Sequence, residues 1–293
     1  MTWLSLALLS AFLSAAAAVT QKKILFKIDA LIFSFLLSTV IMVMSLGVPF
    51  IVDITAVSGI TLMVLILKSG INAFAFVLVM MMLERADISG TLPLLALTPG
   101  IAAILAFVMI GETITPLEIL GIVLMIGGVL ILERRPTGLG NIKAQRYIWT
   151  ALFLFAVSAV LDKVLVSGYK TSAFVVLFYQ HAVFLVVYTI LIFSRKNPLG
   201  QRRISLRRFM TGEYTTVLLL ISLVAVFTIG YRLTQLDAVK TGNVAMVLAV
   251  KRTSVFYASL IGGKMFSEKH LTVRLAGAAI IIAAGFIILR NVA

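Results

Sequence analysis

Long apolar blocks separated by short polar stretches run the length of the chain, and their spacing predicts membrane-spanning helices. A span needs about 20 predominantly apolar residues to cross ~30 Å of hydrocarbon. Blocks of that kind fall at roughly 2–20, 28–47, 59–83, 91–110, 116–132, 147–166, 173–193, 214–236, 243–265 and 272–289, here called spans 1 to 10. Trp3 and Trp149 open spans 1 and 6, where amphipathic rings prefer the interface. Thr115–Pro116–Leu117–Glu118 opens span 5 as a capping box with proline at the first helical position. Thr272 is placed to cap span 10.

Composition agrees with this pattern. Of 293 residues, 61% are hydrophobic and 12% charged, with a mean hydropathy of +1.14, whereas a soluble domain carries roughly a quarter charged residues. The fold class is therefore all-α integral membrane, with no room for a sizeable soluble domain. Residues 1–20 lack a basic leading segment and read as a first span, not a cleaved signal peptide. The absence of cysteine excludes disulfides and thiolate metal sites.

The net charge of +14 does not signal nucleic acid. The basic residues sit between apolar blocks, as in Arg134–Arg135 and Arg202–Arg203–Arg207–Arg208, with no basic patch interleaved with exposed aromatics. They read instead as a topology signal. Of 25 Lys and Arg, 17 fall in the loops after spans 1, 3, 5, 7 and 9 or within three residues of them. Only Lys163, Lys170, Lys240 and Arg290 fall in the even loops and termini, while Lys68, Arg232, Lys251 and Arg252 lie inside spans. The positive-inside rule then puts both termini outside.

The chain also repeats itself. Ala15–Lys22 (AAAAVTQK) resembles Ala156–Lys163 (AVSAVLDK), Leu83–Glu84 resembles Leu236–Asp237, and Glu112 and Gly121 match Glu268 and Gly277. The stretch from Ala86 to Glu112 is about one helical turn shorter than that from Ala238 to Glu268. Similarities in the same order predict two five-helix units, residues 1–135 and 147–291. Five is odd, so the second unit enters the membrane inverted, the architecture that lets two halves rock about a midplane site.

An ionisable side chain deep in a span costs at least about 2.5–3.5 kcal/mol on insertion scales, and is a candidate for function. Lys251–Arg252 lies about eight residues into span 9, followed by Thr253–Ser254. The alternative for this pair is neutralisation by Asp237 or Glu84, although adjacent cations point about 100° apart on a helix and one carboxylate rarely satisfies both. Lys68 lies mid-span with Asn72 one turn on, the same face. In span 8, Thr228, Tyr231, Arg232 and Gln235 form a polar stripe, and Arg232 has snorkelling to the interface as its alternative. Tyr179, Gln180 and His181 sit mid-way along span 7, where a lone histidine is more often packed and hydrogen-bonded than a proton relay.

If these residues converge, the cavity is cationic. It would favour a carboxylate or phosphate and repel lipophilic cations. The eleven acidic residues, among them Asp162, Asp237, Glu84, Glu112 and Glu268, are expected at or near helix ends. Glu112 and Glu268 are read as hydrogen-bonding free backbone groups or favouring a helix N-terminus. Pro93 and Pro99 suit a kinked, cavity-lining fourth span. Gly121, Gly127 and Gly128, with Gly277 and Gly285, give spans 5 and 10 small-residue faces for close contact, either within the monomer or in a homodimer.

At these residues the chain resembles the drug/metabolite transporter superfamily, in particular its EamA-type members. The marks are Ala86–Glu112 (ADISGTLPLLALTPGIAAILAFVMIGE) with the Gly-rich fifth span after it, and Gly242–Glu268 with its following helix. Gly242–Ser254 (GNVAMVLAVKRTS) is also similar to the ninth helix of the triose-phosphate/phosphate translocators, where a Lys-Arg pair binds phosphate. That resemblance would give the role to Lys251 and Arg252; the rest of that phosphate site has no match here. It further implies that spans 1–4 and 6–9 surround a cavity, that spans 5 and 10 support it, and that both termini are cytoplasmic. The charge count of 17 to 4 argues the opposite orientation, and the two readings leave the orientation open.

The sequence thus predicts a secondary transporter or exporter of a small anionic metabolite in a prokaryotic cell membrane. Its partners are the solute and the bilayer, and it needs no cofactor or metal. No Walker-type loop is present for direct ATP drive. The alternatives are a flippase for a lipid-linked carrier and, more remotely, a membrane-embedded enzyme, which would want clustered carboxylates on a metal or a positioned base and nucleophile.

Overall fold

The computed structural model describes residues 2–54, 57–85, 95, 97–113, 115–133, 142–194, 215–266 and, beyond these, 272, 276, 279–280 and 283–284. Among them all regular structure is helical. The helices are α1 (Trp3–Leu25), α2 (Ala30–Met44, continued by a 3₁₀ turn Ser45–Phe50), α3 (Gly59–Arg85), α4 (Thr98–Ile110) and α5 (Pro116–Glu133). They continue with α6 (Ile142–Lys163, extended by a π-turn Val164–Gly168), α7 (Ala173–Phe193), α8 (Thr215–Thr241), α9 (Val244–Lys251) and α10 (Thr253–Met265). Seven helical segments among the described residues are long and apolar enough to cross a membrane. The chain is a multi-pass membrane protein.

The burial pattern is that of a bundle in lipid. Large apolar side chains face outward, such as Phe12, Ile104, Val108 and Phe193. Lys68, Asp162 and Gln180 are inside. Hydrocarbon solvates the first set and would strand the second, so the polar groups turn to the interior and find one another there.

Several expected boundaries shift. Spans 9 and 8 are the clearest: span 9 is two helices meeting at Arg252, and α8 runs on to Thr241. The π-turn lengthens span 6, with Tyr169 N–H donating five residues back to Val164 O at 2.9 Å. Pro99 lies in the first turn of α4, where a missing N–H costs nothing, so it does not kink a mid-span helix as expected. Pro93, Glu268 and nearly all of span 10, including Gly277 and Gly285, lie outside the described residues.

The central packing pairs α1 with α8, antiparallel. Ser10 Oγ donates to Tyr231 O at 2.9 Å, Gly230 lets the Leu13 side chain approach, and Trp3 rests against Gly242 at the far end. Lys22, near the C-terminal end of α1, is therefore about 28 Å from that end. There its ammonium donates to Leu83 O of α3 at 2.5 Å. At the opposite end of the bundle Lys163, at the C-terminus of α6, donates to Val239 O of α8 at 2.9 Å and to Gly242 O at 2.8 Å. Cations suit the free carbonyls that end a helix. The two lysines hold matched positions in the similar stretches Ala15–Lys22 and Ala156–Lys163, and they tie α1 to α3 and α6 to α8.

Glu112 completes the Lys163 end. Gly111 ends α4 with φ 69°, a left-handed cap in which Glu112 N–H donates back to Ala106 O. The carboxylate so placed accepts from Val244 N–H at 3.1 Å and stands 3.7 Å from Lys163 Nζ. Its role is the helix-N-terminus one read from sequence, on α9.

A β-carbon at Gly242 would stand 2.9 Å from the Val247 side chain, 3.0 Å from Ala238 O and 3.1 Å from the Trp3 ring. Gly242→Ala is expected to cost about 1–3 kcal/mol through overpacking, read as a lowered melting temperature of the solubilised protein. Gly70→Ala, with no atom within 4 Å of the added carbon, is expected to leave it unchanged.

Candidate substrate-binding cavity

A cavity of about 160 Å³ opens between α1, α2, α3, α4, α6, α7, α8 and the broken helix α9–α10. None of the described side chains of α5 lines it. Its wall carries seven of the eight residues singled out from the sequence, namely Asn72, Gln180, His181, Tyr231, Arg232, Lys251 and Arg252. Lys68 is the exception. It is completely buried behind the wall and reaches the site through others.

Those others include a residue the sequence reading passed over. Asp162 was expected near a helix end, but the π-turn carries the helix beyond it, and it is 1% exposed. Lys68 Nζ lies 2.7 Å from Asp162 Oδ1. Arg232 Nη2 lies 3.1 Å from Oδ2 and 3.4 Å from Oδ1. The expectation that every carboxylate stays at a helix end is thus corrected. Arg232 does not snorkel either, because α8 continues past it and Asp162 holds it inward.

Gln180 joins the same knot. Its amide oxygen accepts from Lys68 Nζ at 2.5 Å, from Arg232 Nη2 at 2.9 Å and from Asn72 Nδ2 at 3.4 Å. Beside it, His181 packs on Phe184 with ring centroids 5.1 Å apart. Neither ring nitrogen has a hydrogen-bond partner among the described residues. It is packed, as expected, but not hydrogen-bonded, and the ring faces the cavity.

Lys251 and Arg252 are held by neutral groups. Lys251 Nζ donates to Gln235 Oε1 and sits 4.5 Å over the Tyr231 ring. Arg252 Nη2 donates to Thr98 Oγ1 at 2.7 Å, and its Nε has no partner among the described residues. Neither cation has a carboxylate within 4.0 Å among the described residues. The anticipated neutralisers are elsewhere: Asp237 is exposed, and Glu84 accepts from Ala30 N–H at the start of α2. Gln235 Oε1 also accepts from Arg232 Nη1 at 3.4 Å. One hydrogen-bonded chain therefore runs Lys251–Gln235–Arg232–Asp162–Lys68.

In and behind this wall, four cations face one carboxylate among the described residues. An ammonium and a planar guanidinium fork on adjacent residues match the two oxygens of a carboxylate or phosphate. Asp162 was missed because hydropathy set it near a span edge, and Thr98 because a single hydroxyl inside span 4 carries no signal of its own. The repeat itself held the signal, since Asp162–Lys163 aligns with Gln21–Lys22 of the first unit and Gln21 also lines the cavity.

Removing one partner of a buried ion pair leaves an uncompensated charge and costs about 3–5 kcal/mol. Asp162→Asn is expected to destabilise by about that much, measured by thermal unfolding in detergent. Adding Lys68→Met to it is expected to recover a large part, because one stranded cation is then gone.

Comparison with known proteins bears on the fold and the family. No curated protein matches the chain significantly. A solved protein crystal structure superposes over 97% of this chain and 96% of its own, with a TM-score of 0.71 at 13% identity, which speaks for a shared fold. Residues 1–134 match the EamA-like transporter family. The first part of the chain is thus similar to that family, which lies within the drug/metabolite transporter superfamily.

Proposed function

We propose that the protein is a secondary transporter of a small anionic metabolite, carboxylated or phosphorylated, working by alternating access between two inverted five-helix repeats, residues 1–135 and 147–291. The observation that carries this is the pair Lys251 and Arg252 on the cavity wall with neutral partners only. Cations kept in a membrane interior without a counter-ion are explained by an anion that visits them. The cavity volume of about 160 Å³ is near that of a site holding one benzene-sized molecule. It favours a small solute over a lipid-linked carrier.

The two lysine ties support the inverted arrangement. Lys22 and Lys163 occupy matched positions at opposite ends of the bundle, and both are engaged here. Opening either end requires breaking one tie while the other holds. In the same reading the protein sits in a prokaryotic cell membrane, acts without enzymatic turnover, and self-associates, if at all, through spans 5 and 10.

Uptake and counterflow in proteoliposomes against carboxylates, amino acids and phosphorylated sugars test the substrate class. Small anions are expected to compete, and Lys251→Ala/Arg252→Ala is expected to lower their uptake at least tenfold. Undiminished transport by that variant, or competition only from neutral or cationic solutes, would refute the anionic site.

The natural absence of cysteine allows a direct test of the gates. Ser158 is 2% exposed on the cavity wall, so Ser158→Cys reports cavity access to a membrane-impermeant maleimide. Lys22→Met is expected to raise labelling from one side of the membrane and Lys163→Met from the other. Equal effects from one side would contradict alternating access, and the side favoured by each fixes the orientation.

A further inference from the structure

We infer that Asp162 is the proton-coupling site of this transporter: a substrate anion entering the cavity takes over Arg232, and the released carboxylate accepts one proton, so that anion and proton cross together. This rests on the anionic reading of the cavity and adds to it the coupling ion.

The geometry gives Arg232 two possible anionic partners. Its Nη2 holds Asp162, while its Nε has no partner among the described residues and the side chain lines the cavity. Gln235 links it to Lys251 through a shared acceptor oxygen. An anion that engages Lys251 and Arg252 therefore arrives beside a guanidinium already bound to a carboxylate. Two anions at one fixed cation in a low-dielectric cavity repel, and the arrangement relaxes if one of them is protonated.

Asp162 is the group able to do this. The charged and titratable neighbours that face it are Lys68 from α3, His181 from α7, Tyr231 and Arg232 from α8, and Lys251 from α9, with Gln180 and Gln235 as neutral bridges. From the α4 side comes Glu112, which is occupied by Lys163 and the start of α9 at the bundle end. Among the described residues of the cavity wall Asp162 is the one carboxylate, hence the one whose negative charge a proton can cancel at ordinary pH. The Lys68 ammonium need not be stranded when this happens, because it also donates to Gln180 Oε1 at 2.5 Å.

The step balances. One O–H bond forms on Asp162 with a proton from the aqueous phase to which the cavity is open. Arg232 and Lys68 keep their protons throughout. The site gains one negative charge from the substrate and one positive charge from the proton, so its net charge is the same empty or loaded. On the opposite side the anion leaves, Arg232 returns to Asp162, and the proton is released there.

The test uses the purified full chain with pyruvate and lactate as probes, both ionised throughout about pH 6–8. Affinity for a bound probe is expected to rise as pH falls, by up to tenfold per pH unit when one proton is taken up per anion. In Lys68→Met/Asp162→Asn the affinity is expected to be independent of pH. Should that variant not fold, an infrared difference band of a protonated carboxylic acid, induced by the probe in the wild-type protein, reads the same event, and its absence overturns the proposal. Binding that requires Lys251 and Arg252 but is flat with pH overturns the coupling alone. A pH slope that persists in the double variant assigns the proton to another group and overturns the role of Asp162. If neither probe binds, or binding ignores Lys251→Ala/Arg252→Ala, the anionic reading fails first and this inference with it.

Discussion

Everything in the cavity depends on how one buried carboxylate is shared. Asp162 is contacted by Lys68 from α3 and Arg232 from α8, and Gln180 from α7 ties the two cations to each other. A charge taken from water into a medium of low dielectric costs several kcal/mol unless it is paired and its remaining hydrogen bonds are met. Asp162 meets that condition for two cations from two different helices. It fixes the relative depth of α3, α6, α7 and α8, and so the shape of the cavity. The same economy leaves nothing for Lys251 and Arg252, which must make do with amide, phenol ring and hydroxyl partners.

The ends of the bundle obey a different rule. Lys22 and Lys163 donate to carbonyl oxygens at the C-terminal ends of neighbouring helices. These contacts are local to each end and about a bilayer's hydrocarbon thickness apart. A bundle closed by polar contacts at its ends can open at one of them without unpacking its middle. The apolar α1–α8 seam, where Gly230 and Gly242 allow close approach, supplies the part that stays together.

Much of this was readable from sequence because hydrocarbon is an unforgiving solvent. Helix positions followed from apolar block length, α7 to the residue. The cations followed from their being out of place in such blocks, and seven of the eight chosen residues reached one wall. What failed was depth. Asp162 looked like an edge residue because the polar stretch after it resembled a loop, and nothing in hydropathy announces a π-turn that carries the helix to Gly168. Pro99 was placed mid-helix because the apolar block extends before it, although α4 begins only at Thr98. Both errors concern where a helix starts or stops relative to the membrane, which depends on tertiary hydrogen bonds. The internal repeat could have reduced one of them, since it sets Asp162 opposite Gln21, a buried residue on the cavity wall.

The choice of neutral partners for Lys251 and Arg252 also bears on turnover. A carboxylate in contact with either would hold it in place but would compete with an arriving anion, which could then bind only by displacing a charge. Gln235 and Thr98 hold the two side chains by dipoles alone. Such bonds carry a full charge on one partner only and are weaker than a cation–carboxylate pair, so on the anionic reading proposed above a substrate anion would exchange with them at little cost on entry, and they would recapture the cations as it leaves. A carrier needs a site that is organised when empty yet not so strong when loaded that the cargo stays. Dipolar partners around a bare pair of cations meet both requirements, whereas a fully ion-paired cavity would meet only the first.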